Sequence, residues 1–304
     1  MNEFCETIGI RYPIILGGMA RVGTAPLAAA VSNAGGLGLL GSSAWGPEEL
    51  ARQIRQARQL TDKVFGVNIP VRAQHAPGLI AVVMEQKISV VATSAGDPGI
   101  WTRQLKNDGI FVMHVASTVE RAVKAEQAGV DAVIAEGSES GGMTGPEEIS
   151  TLVLVPQVTD AVKVPVVAAG GIGDGRGLAA ALALGACAVQ MGTAFIAAEE
   201  CEISRAFKEI LVMAKETDAV LIREDKMSRR VLNEAFVEEA VKMLAKHHPD
   251  IAKTLEAAPG SGTRGAGQIA GLVRKVRPTA AIIDDMMREA HAILPKIKSN
   301  LPEL

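Results

Sequence analysis

Eight short apolar runs constrain this chain more than anything else in it. They are YPIIL (12–16), GLGLLG (36–41), VFGVNIP (64–70), VVATSA (90–95), IFVMHVA (110–116), AVIAEG (132–137), VPVVAAGG (164–171) and AVQMGTAF (188–195). Between them lie stretches with helical spacing, such as TAPLAAAVSNAG, PEELARQIRQARQL, TVERAVKAEQAG and GRGLAAALALGA, several closing on glycine. Strand–helix units in unbroken alternation demand a parallel sheet, and eight of them close into a barrel. The expected fold is therefore α/β, a (β/α)8 TIM barrel over residues 1–198. An open doubly wound sheet is the alternative, but nothing in the order of the units marks a topological switch point.

Beyond residue 199 the periodicity turns helical and charged, with no convincing strand, so 199–257 reads as a helical cap beside the barrel mouth. The glycine-rich APGSGTRGAGQIAGLV (258–273) and a last helix over 279–298 place 258–304 back on the barrel. With 48% apolar and 21% charged residues in 304, the chain can bury a large core. A net charge of −3 and 3% aromatics, with Tyr12 the sole tyrosine, argue against nucleic acid as a partner. No apolar run approaches the roughly 20 residues that span a bilayer, so no membrane association is expected. The opening MNEFCETIGIRYP lacks the basic-then-apolar order of a signal peptide. Cys5, Cys187 and Cys201 show no pairing or metal spacing, which fits reduced thiols in a cytoplasmic protein.

Two of the runs end in glycine turns, GGIGDG after the seventh and MGT after the eighth. Glycine lets backbone N–H groups approach phosphate oxygens, and the loops after strands seven and eight are where barrels of this kind hold phosphate. Ligands meet side chains at the C-terminal strand ends. Those ends carry Gly17, Gly18, Met19, Asn68, Thr93, Ser94, His114, Glu136, Gly170, Gly171, Gln190, Gly192 and Thr193, with the loop GSESGGMTG (137–145) after strand six. The set is rich in glycine, amide and hydroxyl groups and poor in charge. Such a lining suits a large planar cofactor that itself performs the electron transfer.

The segments YPIILGGMA (12–20), FGVNIP (65–70), DAVIAEGSESGG (131–142), VVAAGGIGDGRG (166–177), AVQMGT (188–193) and AGQIAGL (266–272) occur in order along most of the chain. Together they resemble the nitronate monooxygenase (2-nitropropane dioxygenase) family, which includes flavin-type enoyl-ACP reductases. The resemblance implies an FMN-dependent oxidoreductase that oxidises a nitronate or uses NADH or NADPH to reduce an enoyl thioester or a quinone, acting on a small-molecule or acyl-thioester substrate, with a homodimer as a compatible assembly. It implies that Gly18 and Met19 run along the flavin ring and that Asn68 reaches its edge. It also implies that Gly170, Gly171, Gln190, Gly192 and Thr193 hold the phosphate end, that Glu136 and Gly141 belong to the cofactor site, and that Gln268 closes over it.

One position departs from the family. Where a histidine usually follows the glycine pair, this chain has Met143 after Gly141-Gly142. A thioether neither takes nor gives a proton, so the change counts against nitronate oxidation and leaves hydride transfer from a nicotinamide untouched. His114, in VMHVAS, is the best-placed substitute as base or substrate contact, set against the plainer reading of a wall histidine bonded to backbone. Glu136 is open to both a site role and a structural one. Glu139 reads as a loop charge facing water, Asp97 and Asp174 as turn residues, and Arg229-Arg230 as cap charges. His75, His247, His248 and His291 fall in helix or loop contexts. Two further readings remain: a catalytically silent FMN-binding protein, and a phosphate-binding barrel like IMP dehydrogenase, which would need a nucleophilic cysteine in a mobile loop.

Overall fold

The computed structural model describes residues 2–223, 228–247 and 265–300. All eight expected strands are present: β1 (Ile14–Leu16), β2 (Gly38–Gly41), β3 (Phe65–Pro70), β4 (Val90–Ser94), β5 (Phe111–Ala116), β6 (Ala132–Glu136), β8 (Val166–Ala169) and β9 (Ala188–Met191). Each pairs in parallel with its neighbours in the order β1-β9-β8-β6-β5-β4-β3-β2. A parallel bridge between Ile15 and Leu37 joins β2 back to β1 and closes the barrel. Helices connect successive strands, and Gly35, Gly129 and Gly185 end three of them at φ of +94°, +88° and +95°, the left-handed conformation glycine adopts without strain.

Strand residues alternate between two cores. Ile15, Leu39, Val90, Ala92, Met113, Ala132, Ile134, Val167, Ala169 and Ala188 fill the barrel interior, and Phe4, Cys5 and Ile8 of the N-terminal helix Glu3–Ile8 join them. Ile14, Leu16, Val67, Val91, Val112, Val133, Val166 and Val189 instead face the surrounding helices. Burial of each such aliphatic side chain contributes about 1.5–3 kcal/mol. The last helix, Thr279–Asn300, packs beside Gly175–Ala183; a Cβ on Gly175 would sit 2.4 Å from the Met286 carbonyl oxygen, so glycine sets that close approach. Among the described residues no helix is long and apolar enough to cross a membrane.

The appendage after β9 differs from the purely helical expectation. Helices Arg205–Met213 and Glu234–His247 are there, but between them β10 (Ala219–Arg223) and β11 (Ser228–Leu232) form an antiparallel hairpin. β11 also pairs with β7 (Gly142–Thr144), the end of the loop after β6. The strand pattern was masked because charge sits on both faces: Arg229 is exposed while Arg230 is buried beside Ser228 and Leu232. His248, the end of the expected cap and the first part of the expected glycine-rich segment (248–264) lie outside the described residues.

Candidate active site at the barrel mouth

Continuing the inward rows of the barrel by one more step gives the floor of its C-terminal mouth. Ile15 leads to Gly17, Leu39 to Gly41, Ala92 to Ser94, Met113 to Val115, Ile134 to Glu136, Ala169 to Gly171 and Ala188 to Gln190; Asn68 is the inward residue of β3. Gly17, Gly41 and Gly171 bring no side chain to it, and at Gly41 the Met19 carbonyl oxygen stands 2.2 Å from where a Cβ would be; two amides line it, and Glu136 is the one ionisable side chain in the row.

The walls are fixed by close backbone contacts. A Cβ on Gly18 would lie 2.2 Å from Asn68 Cβ, so only glycine lets the β1 loop cross that amide. Asn68 Nδ2 donates to the Ala92 carbonyl at 3.3 Å and to Ser94 Oγ at 3.4 Å, which fixes its amide plane. Met19 crosses to the far side, where a Cβ on Gly192 would meet its sulfur at 3.0 Å. Gly141 presses on the late loop, its absent Cβ 2.5 Å from Gly267 N. Gly267 N in turn donates to Thr193 Oγ1 at 2.8 Å, and Gln268 N to the Glu139 carbonyl at 3.0 Å. The Gln268 side chain itself is exposed. Loops separated by more than a hundred residues thus meet at the barrel mouth.

At the β8–β9 end, Gly170 and Gly171 adopt φ of +91° and +69°. The amide N–H groups of Gly171, Gly192 and Thr193 have no acceptor among the described residues. These amides and the Thr193 hydroxyl, all on the loops after β8 and β9, could hold an anion. The first amides of the helix Gly175–Ala183 are engaged by side chains instead. Asp174 Oδ1 accepts from Arg176 N and Gly177 N at 3.0 and 3.3 Å, and Glu289 accepts from Gly175 N at 3.0 Å. Asp174 is thus bonded to local backbone, as its turn position implied.

The electrostatics separate the candidate acids and bases. Glu136 is partly buried, and desolvation raises its carboxyl to about 7, a smaller opposing effect coming from the Ser140 hydroxyl. His114 is corrected by the strand parity: with Val112 and Ala116 it faces the helix layer, not the mouth. Its ring is 2% exposed, its Nδ1 lies 2.7 Å from Thr93 Oγ1, and burial pushes its pKa down to about 4 against a weaker upward pull from Asp97. It is a wall histidine bonded to a threonine hydroxyl, out of reach of a ligand in the mouth. Met143 stands on the rim strand β7, 53% exposed. Burial also pushes the Cys5 and Cys187 thiols up to about 11 and about 12, and raises that of Cys201, so none offers the thiolate that an IMP dehydrogenase-like reaction requires.

Two residues outside the expected site hold it in shape. The Glu139 carboxylate is not a solvent charge: its oxygens accept from Thr151 N at 2.9 and 3.0 Å and from Thr151 Oγ1 at 3.0 Å, capping the helix Thr151–Ala161. Arg230 donates to the Ser138 and Ala219 carbonyls at 2.9 and 3.1 Å, tying the cap hairpin to the loop after β6; burial lowers its pKa. The adjacent arginines were the only sequence signal for this tie.

The mouth fits a flat cofactor with a phosphate tail. Gln190 Oε1 is buried and unpartnered at its floor, an acceptor awaiting a ligand donor, and the glycine cradle stands beside it. Known proteins agree with this geometry. FabK from Thermotoga maritima superposes with a TM-score of 0.89 at 41% identity, covering 99% of both chains. A nitroalkane oxidase from Streptomyces ansochromogenes gives 0.80 at 28%, covering 95% of this chain and 98% of that one. The (3aS,4S,5R,7aS)-5-hydroxy-7a-methyl-1-oxo-octahydro-1H-indene-4-carboxyl-CoA dehydrogenase of Rhodococcus jostii (strain RHA1) is 40% identical over 233 residues, 76% of this chain; the match spans 65% of that relative's length. A probable nitronate monooxygenase of Staphylococcus aureus (strain JH9) is 34% identical over 284 residues, 78% of this chain and 80% of its own. The nitronate monooxygenase family model matches residues 2–79 and 72–289, and with these relatives it shows that the chain belongs to the nitronate monooxygenase family, a group of flavin-dependent oxidoreductases.

Proposed function

We propose that this protein is an FMN-dependent reductase that draws hydride from NADH or NADPH and reduces an electron-poor double bond conjugated to a carbonyl, as in an enoyl thioester. The observation that carries this reading is Met143: the rim position lacks an imidazole, and His114 lies on the other face of β5. Abstracting a proton from a nitroalkane needs a base at that rim, whereas accepting a nicotinamide hydride does not. A Rhodococcus relative named for a carboxyl-CoA substrate supports a thioester over a quinone.

FMN, when bound, supplies the hydride-carrying centre. In this reading the Gly171, Gly192 and Thr193 amides and the Thr193 hydroxyl bind its phosphate, with Gly170 shaping the turn. Gln190 Oε1 accepts from the ring, Asn68 meets its edge, and Gly18 and Met19 lie along its face. Gly141 and the loop at Gln268 exclude water, and Met143 offers an apolar surface to substrate. We place the protein in the cytoplasm, where its three free thiols stay reduced and nicotinamides are at hand.

The test is anaerobic: record the visible spectrum of the purified protein, then add NADH, NADPH or a nitronate to separate samples. Bleaching by a nicotinamide is expected. Bleaching by the nitronate alone would return the protein to monooxygenase chemistry, and a bound flavin reduced by none would leave a silent binding protein.

A further inference from the structure

A reductase of this kind must place two things on the substrate, a hydride on one carbon and a proton on its neighbour. The mouth has lost the histidine that could carry the proton, so the remaining inward side chains decide where that proton is held.

Among the inward residues at the strand ends, Gly17, Gly41, Asn68, Ser94, Val115, Gly171 and Gln190 cannot release a proton near neutral pH. Glu136 can. It stands at the last position of β6, next in the inward row after Ile134, and is partly open to the mouth. Ala169 of β8 is its register partner. The charged groups of the neighbouring elements are engaged elsewhere: Glu139 with Thr151, Arg230 with two carbonyls, and Arg121, on the helix Val119–Gln127 after β5, with Glu147.

Resting on the proposed reductase reading, we infer that Glu136 is the catalytic acid of this site, taking over the proton-bearing role left vacant at Met143. The carboxyl O–H bond breaks and its proton forms the new C–H bond at the α-carbon of the enoyl thioester. FMN, when bound, would supply the hydride drawn from the nicotinamide, so that the β-carbon gains a hydride as the α-carbon gains the Glu136 proton. The carboxylate then regains a proton from water. A carboxyl titrating near 7 is half protonated at neutral pH, which suits an acid that must reload each cycle.

Two measurements test this on FMN-loaded protein, with crotonyl-CoA as probe. Infrared titration of the substrate-free protein should show a carboxylic C=O band that disappears as pH rises through about 7 and is absent in Glu136→Gln. This needs no turnover, so it tests the proton store even if nicotinamide reduction fails. In single-turnover kinetics, Glu136→Gln should slow reoxidation by crotonyl-CoA by about 10²–10⁴-fold and abolish its fall above pH 7, while slowing reduction by the nicotinamide far less. Glu136→Asp keeps the acid but retracts it, and should retain the pH profile at a lower rate. If Glu136→Gln loses FMN, the Asp variant serves alone, and loss of its pH profile would overturn the assignment. So would equal slowing of both half-reactions, an unchanged pH profile in the Gln variant, or no titrating band. Failure of both nicotinamides to reduce the flavin would instead count against the reductase reading.

Discussion

Adjacent glycines at 141 and 142 are glycine for opposite reasons, and alanine at each separates them. At Gly141 an added Cβ would lie 2.5 Å from Gly267 N and 2.6 Å from the Ala266 carbonyl carbon. Ordinary contact begins at 3.4 Å, so the late loop must retreat by about 0.9 Å (3.4 − 2.5), and no rotamer change helps because both atoms are backbone. A retreat of that size stretches the 2.8 Å bond from Gly267 N to Thr193 Oγ1 beyond useful length and strands a buried N–H. Overpacking and the lost bond describe one displacement, which we put at about 1–3 kcal/mol. If the docked loop is what closes the cofactor site, Gly141→Ala weakens FMN binding by about 5- to 150-fold. At Gly142 a Cβ would meet nothing within 4 Å, and the cost is only that of placing alanine at φ +79°, about 1 kcal/mol. Titrating apoprotein into FMN and following quenching of flavin fluorescence reads both. Gly141→Ala binding within twofold of wild type, or Gly142→Ala binding more weakly than Gly141→Ala, would refute the reasoning.

Further predictions concern the cradle, the wall, the rim and the cap. Gly171→Val combines φ +69° with a β-branched side chain beside the free amides and should abolish FMN retention, read as flavin content after purification; normal content would remove Gly171 from the phosphate site. His114 has a folded pKa of about 4, below its unfolded 6.5, so as pH falls through 6.5 the unfolded chain takes up a proton that the native ring refuses, and stability is lost until about pH 4. Between pH 7 and 5 this amounts to about 2 kcal/mol, and since Glu136 titrates with the opposite sign, the quantity to compare is the urea-unfolding pH dependence of wild type against His114→Gln. Met143→His should raise oxidation of a neutral nitroalkane by about 10²-fold, the lower end of what a positioned base contributes; no rise would show that the base for that reaction lies elsewhere. Glu139→Ala removes the cap of Thr151–Ala161 and should cost about 0.5–2 kcal/mol in thermal unfolding, where a solvent-facing charge would cost nothing measurable.

What could be read from the residues alone follows from which forces act locally. The eight strands were legible because β-branched runs ending in glycine are local signals, and glycine helix stops at 35, 129 and 185 announce left-handed turns without reference to the rest of the chain. His114 was harder because both faces of a parallel barrel strand are apolar: Val112, Met113, His114 and Val115 show no alternation, so only the register with its neighbours says which residues point inward. The same blindness hid Glu136 as the sole ionisable member of the inward row, which emerges only after Ile134 is seen to face the interior. Glu139 and Arg230 were illegible for another reason: their partners lie 12 and 92 residues away, and a side chain satisfied by distant backbone leaves no trace in its own neighbourhood. The hairpin β10–β11 failed on charge, since a strand that buries an arginine against two carbonyls breaks the apolar alternation by which strands are recognised. These misreadings share a cause. Local pattern reports what a residue is, whereas a site at the mouth of a closed barrel is defined by register and by contacts between distant loops. The glycines there mark places where a Cβ has no room, against the Asn68 side chain at Gly18 and against the Gly267 backbone at Gly141, and such a constraint is written directly in the sequence.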